Sequence, residues 1–171
     1  MESAFENMLD LDLKDRVAIV TGAAMGIGKA ILNALDKAGC SVASVDVEEE
    51  ALKATMAELE HPENHFALIK DLERSEDCES IAKEVEKKYG RIDVLVNNAG
   101  IVYRTPVADV TMDMWKKVGD INLRSQFLLC RSAAEVMKKN NFGRIVNFSS
   151  QGHFTGGYDQ SLVYCAFKGA T

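Results

Sequence analysis

Four features are scarce or missing in this chain, and each scarcity excludes something. Its four cysteines, Cys40, Cys78, Cys130 and Cys165, lie far apart and form no CxxC pair. A secreted disulfide scaffold is shorter and denser in cysteine, so reduced thiols in a cytoplasmic protein are expected. No apolar run approaches the roughly 20 residues that span a bilayer. The opening MESAFENMLDLDLKD is acidic and lacks the basic and apolar regions of a signal peptide, so no membrane association is expected. Basic residues are in deficit: 20 Lys+Arg face 26 Asp+Glu, a net charge of −6. That argues against nonspecific nucleic-acid binding, which rests on cations neutralising phosphates. Proline is nearly absent, and Pro62 and Pro106 both fall between periodic segments.

What remains is 171 residues with 47% hydrophobic and 27% charged side chains, the composition of one globular domain. Short apolar runs rich in Val and Ile occur at 17–20, 42–45, 66–69, 92–96 and 144–148. Being apolar on both alternating faces, they predict strands covered on two sides. Between them lie segments of helical period. Ile27, Ile31, Leu35 and Ala38 mark one helix, with Gly39 as its stop, and Ile81, Val85 and Tyr89 mark another before Gly90. Residues 48–59 and 112–137 also read as helices, the latter broken near 119–122. Strand and helix alternating in this way predict an α/β fold, a Rossmann-type doubly wound parallel sheet with ligands bound beyond the carboxyl ends of its strands. Residues 1–14 read as an N-terminal extension without a derivable role, and 15–171 as the domain.

The first strand runs directly into Thr21-Gly22-Ala23-Ala24-Met25-Gly26-Ile27-Gly28, which opens the first helix. Glycine permits a tight turn and close approach, and a helix N-terminus offers free N–H groups to a pyrophosphate. Asp46 closes the second strand, 18 residues after Gly28. A carboxylate at this station bonds adenosine ribose hydroxyls and repels a 2′-phosphate. Met25 supplies no cation to receive one, so NAD is favoured over NADP. The same carboxylate is also placed to cap the helix that begins near Glu48.

Further motifs follow in order: Asp71-Leu72, Asn97-Asn98-Ala99-Gly100 after the fourth strand, Asn122, Ser149-Ser150, and Tyr164-Cys165-Ala166-Phe167-Lys168. With the glycine turn, this set resembles the short-chain dehydrogenase/reductase family from Asp15 to the last residue. The resemblance implies an oxidoreductase that moves a hydride between a nicotinamide cofactor and a secondary alcohol or ketone. It implies cofactor contacts from Gly22, Gly26, Ile27, Gly28, Asp71, Leu72, Asn97, Ala99, Gly100, Tyr164 and Lys168, and a tetrad of Asn122, Ser150, Tyr164 and Lys168. It further implies a homo-oligomer. Chemistry agrees with the tetrad. A tyrosine with the ordinary pKa of about 10 is a poor base at neutral pH, and a lysine four residues on lies on the same helical face and stabilises the phenolate.

Two departures from the family pattern stand out. Ser150 to Tyr164 is 14 residues, one more than usual, which leaves Ser149 as an alternative; His153 and Tyr158 lie in this loop and read as exposed. The chain also ends three residues after Lys168, so the last two strands of the family sheet are expected to be missing and the 144–148 strand to have an open edge. The alternative to an enzyme is therefore a catalytically silent NAD-binding module or a partner of an intact relative. His61 and His65 have helical metal spacing, but Pro62 lies between them and no third ligand is near, so no metal site is expected. Trp115 and Phe127 read as core residues.

Overall fold

The computed structural model describes residues 13–158 and 160–171; most of the N-terminal extension lies outside the described residues. Five strands form one parallel sheet: β1 (Val17–Thr21), β2 (Ser41–Asp46), β3 (Phe66–Ile69), β4 (Val94–Asn97) and β5 (Arg144–Asn147). Their order is β3-β2-β1-β4-β5. The chain winds outward from β1 to β2 and β3, then returns to place β4 on the other side of β1. The crevice at this reversal, beyond the carboxyl ends of β1 and β4, is where an open α/β sheet binds ligands.

Helices cover both faces. α1 (Gly26–Lys37) and α2 (Glu49–Ala57) pack on one, and α3 (Ser75–Tyr89) and α5 (Ser125–Lys139) on the other. The alternation of the strands explains the two cores. Ala18 and Val20 join Leu32, Leu35 and Leu52 on one face, whereas Val17 and Ile19 meet Ile81, Val85, Leu129 and Ala133 on the other. Each strand thus buries side chains in both directions, which is why β1 and β4 read as unbroken apolar runs. β5 is the exception. Like β3 it is an edge strand, but all four of its residues are exposed, with Ile145 and Val146 39% and 47% accessible.

Two sequence expectations change. The long helix does not break near 119–122. α4 (Met112–Gly119) passes into a π-helical turn (Asp120–Arg124) and on into α5 with helical geometry throughout. The added residue of the π turn keeps the helical path while Asn122 becomes fully buried. Trp115 and Phe127 are not core. They are 41% and 61% exposed beside an open groove of about 620 Å³ that Leu123 and Phe167 also line. Helical period alone could not distinguish a face turned to the sheet from one turned to solvent.

The two histidines also separate. His65 is buried: its Nδ1 accepts the Val42 N–H at 3.1 Å, so its Nε2 carries the proton and donates to Asp36 Oδ1 at 2.9 Å. His61 is exposed, with Glu63 at 4.0 Å. Cys40, Cys78, Cys130 and Cys165 are all free thiols, and burial raises Cys40 and Cys78 to about 11. Among the described residues no helix is long and apolar enough to cross a membrane. Two short helices complete the fold near the end of the chain: α6 (Gly152–Thr155) and α7 (Leu162–Ala170).

Candidate active site

The turn after β1 is built around positive-φ glycines. Gly22 has φ +67° and Gly26 φ +57°, a region that costs glycine little. Gly28 is needed for a different reason: a Cβ there would collide with the Gly22 carbonyl. The missing side chain lets α1 begin directly against the turn. Met25 provides no side-chain cap, and the first turn of α1 holds no acidic residue, so the leading N–H groups and the positive end of the helix dipole face the crevice.

A cleft of about 410 Å³ opens here. Gly22, Met25 and Ile27 line it from the turn, Val45 to Glu48 from the end of β2, and Lys70 to Leu72 from the end of β3. Asn98, Ala99, Gly100 and Ile101 follow β4, and Ile121 comes from the π turn. Asp46 lines the cleft at the end of β2, and its carboxylate also holds the backbone together. Oδ2 accepts from Ala24 N–H at 2.9 Å, and Oδ1 accepts from the N–H groups of Val47 and Glu48 at 2.8 and 3.1 Å. These bonds stop at Glu48, the N-cap of α2, so the carboxylate does not cap that helix. Lys70 is the one cation lining the cleft among the described residues, and Glu84 Oε1 pairs with it at 2.7 Å. The volume, the glycine turn and the uncapped helix suit a dinucleotide.

Some of the expected contacts lie elsewhere. Asn97 is buried beneath the cleft, with its amide nitrogen on Asn147 Oδ1 at 2.8 Å and near Cys130 Sγ at 3.3 Å. Leu72 packs into the core while lining the cleft. Sequence reasoning missed Thr21 and the separate role of Asn98. Thr21 Oγ1 accepts from the N–H groups of Asn98 and Ala99, both at 3.1 Å. Asn98 Nδ2 donates back to the carbonyls of Thr21 and Gly22 at 2.9 and 3.2 Å. These bonds lock the two strand-end turns together, and a polar pair at two adjacent strand ends was the only signal available.

Of the expected tetrad, Asn122 and Lys168 approach Gly100, which lines this cleft. Lys168 sits on α7 with 3% of its surface exposed; its Nζ donates to the Phe148 carbonyl at 2.5 Å and lies 5.8 Å from the centre of the Tyr164 ring. Burial pulls its ammonium pKa below the ordinary 10.5. Asn122 Oδ1 accepts from Ile101 N–H at 2.8 Å and its Nδ2 donates to Ile101 O at 2.9 Å. Gly100 separates the two: a Cβ there would stand 3.2 Å from Asn122 Oδ1 and 3.6 Å from Lys168 Nζ. Ser149 Oγ donates to the Lys168 carbonyl at 2.7 Å, which commits its proton to α7. Ser150 Oγ accepts from Gly152 N–H at 3.1 Å and keeps its own proton to donate. His153 and Tyr158 are exposed in the intervening loop.

A doubly wound parallel sheet with a glycine turn at its switch point defines a Rossmann-type nucleotide-binding fold. The short chain dehydrogenase family profile matches residues 16–171. The chain belongs to that family. It is 34% identical over 161 residues to an NAD-dependent glycerol dehydrogenase of Listeria innocua, covering 94% of this chain and 62% of the relative. A farnesol dehydrogenase of Aedes aegypti is 42% identical over 161 residues, covering 91% and 65%. The solved structure of an NAD+-bound xylitol dehydrogenase superposes with a TM-score of 0.86 at 30% identity, over 92% of this chain and 61% of that one. The chain thus spans under two thirds of the length of each of these relatives.

Proposed function

We propose that this protein is an NAD-dependent oxidoreductase acting on a secondary alcohol or ketone, with Asn122, Ser150, Tyr164 and Lys168 as its catalytic residues. The observation that carries the reading is the meeting of buried Asn122 and Lys168 across Gly100, a residue that also lines the nucleotide-sized cleft. In this reading Gly22, Gly26, Ile27 and Gly28 receive the pyrophosphate, Asp46 the adenosine ribose, and Asp71 and Leu72 the adenine. Ala99 and Gly100 line the cofactor, and Asn97 steadies the sheet below it.

The cofactor, when bound, supplies the hydride acceptor or donor. The remaining work falls to the chain. Ser150 donates its free proton to the substrate oxygen. Tyr164 takes the hydroxyl proton as the alcohol is oxidised and returns it in the reverse direction. The Lys168 ammonium stabilises the phenolate electrostatically and orients the nicotinamide ribose. Asn122 ties the Ile101 loop to the π turn and supports a water that passes protons from Lys168. Among the described residues lining the cleft, the Asp46 carboxylate and a Lys70 already paired with Glu84 leave no unpaired cation for a 2′-phosphate, which favours NAD over NADP.

The reading goes with a cytoplasmic setting, in keeping with four free thiols. It also goes with the homo-oligomer that the family resemblance implies. Relatives named for glycerol and for farnesol, the latter a primary alcohol, match this chain, so the family alone does not choose among alcohol substrates. The test is Tyr164→Phe. It is expected to abolish hydride transfer across a panel of secondary alcohols while NAD binding is retained. Turnover equal to that of the unaltered protein would remove Tyr164 from the chemistry.

A further inference from the structure

One side chain outside the cleft joins two of its walls. Arg124 ends the π turn, and its Nη1 meets Asp120 Oδ1 at 2.6 Å at the start of that turn. Its Nη2 donates to the carbonyl of Glu73, 51 residues away in sequence. Glu73 N–H donates to Asp71 Oδ1 at 2.9 Å, so the carbonyl held by Arg124 belongs to the same small turn that presents Asp71 and Leu72 to the cleft. On the other side, Ile121 lines the cleft and Asn122 Oδ1 accepts from the N–H of Ile101, another lining residue. The Asp120 carboxylate is nearly buried and takes a second cation, Lys116, at 2.6 Å. Arg124 Nε is buried without a partner among the described residues, so the guanidinium keeps its place at a cost.

We infer that Arg124 is a positioning residue: it sets the spacing between the 71–73 turn and the π turn, and nucleotide affinity depends on it although it does not line the cleft. The inference rests on the proposed NAD reading. A guanidinium suits the task because its rigid fork holds two acceptors at once. A lysine keeps the charge beside Asp120 but cannot also hold the Glu73 carbonyl in the same geometry.

The experiment is a calorimetric titration with ADP-ribose, which lacks the nicotinamide, and with NAD+, on proteins whose circular dichroism matches the unaltered chain. Arg124→Lys is expected to retain its melting temperature and to bind both probes about tenfold more weakly, the loss associated with one charge-assisted hydrogen bond. Lys116→Met removes the other partner of Asp120 and is expected to bind as the unaltered protein does. Affinity of Arg124→Lys within about twofold of the unaltered protein would overturn the inference. So would an equal loss in Lys116→Met, which would make the effect one of general charge near Asp120. Failure of the unaltered protein to bind either probe is a different result: it overturns the NAD reading itself.

Discussion

Asp46 Oδ2 accepts the Ala24 N–H at 2.9 Å, so the carboxylate at the end of the second strand also fastens the glycine turn of the first. The residue proposed to read the ribose therefore helps to build the pyrophosphate turn. Asp46→Ala should weaken NAD binding more than the loss of ribose contacts alone would. It should also narrow the preference for NAD over NADP, since a negative charge that repels the 2′-phosphate is gone. Titration of the variant with both nucleotides measures this; an unchanged ratio would remove Asp46 from the discrimination.

Gly28 is irreplaceable on steric grounds. A Cβ there meets the Gly22 carbonyl, a backbone atom that cannot move without opening the turn. Gly28→Ala is expected to destabilise the fold by about 2 kcal/mol or more through overpacking and to lose nucleotide binding. Gly26→Ala places a Cβ in open space but at a positive φ, so its cost should be smaller, about 1 kcal/mol. Urea unfolding of the pair separates crowding from backbone strain.

Two buried carboxylates set the acid limit of the fold. Burial alone would raise the pKa of each. At Asp36 the bonds from His65 and from the Glu60 N–H outweigh it, and at Asp93 those from Arg91 and the Val17 N–H do so, leaving both below the ordinary 3.8. A pKa depressed by folding contributes stability above the unfolded value that disappears as pH falls through the folded one. Stability is therefore expected to hold above pH ~4 and to decline steeply below it. Asp93→Ala should cost about 2 kcal/mol, chiefly because it leaves the buried Val17 N–H without its acceptor, while the Arg91 side chain, 40% exposed, stays solvated. A flat acid profile, or a loss under about 1 kcal/mol, would contradict these assignments.

Lys168 reverses the usual sign. Burial lowers its pKa, so the folded chain holds the charged form at a penalty. Its contribution to stability is least favourable below the folded pKa and improves as pH rises toward 10.5, the ordinary value. Lys168→Met should raise the melting temperature at neutral pH and abolish turnover, the signature of a charge kept for function. A variant that melts earlier would mean that the bond to the Phe148 carbonyl outweighs the burial penalty.

Much of this was readable beforehand, because the relevant constraints are local. The β1 run, the glycine turn and the start of α1 are contiguous, and their order alone placed the cleft. The helical stop at Gly90, with φ +73°, follows from one residue. Long-range packing was not readable. Nothing near Trp115 or Phe127 indicated that their face turns outward, and only the tertiary fold brings Glu73 within reach of Arg124. The π turn read as a break because a single inserted residue shifts the helical period just as an interruption does.

The cleft beside Gly22 and Asp46 is proposed to bind NAD. Calorimetric titration with NAD+ and NADP+ tests it most directly. The expected result is saturable one-to-one binding of NAD+ and affinity for NADP+ lower by about tenfold or more, since the 2′-phosphate would meet the Asp46 carboxylate with no unpaired cation among the described lining residues. Absence of saturable binding for NAD+, or tighter binding of NADP+, would contradict the claim.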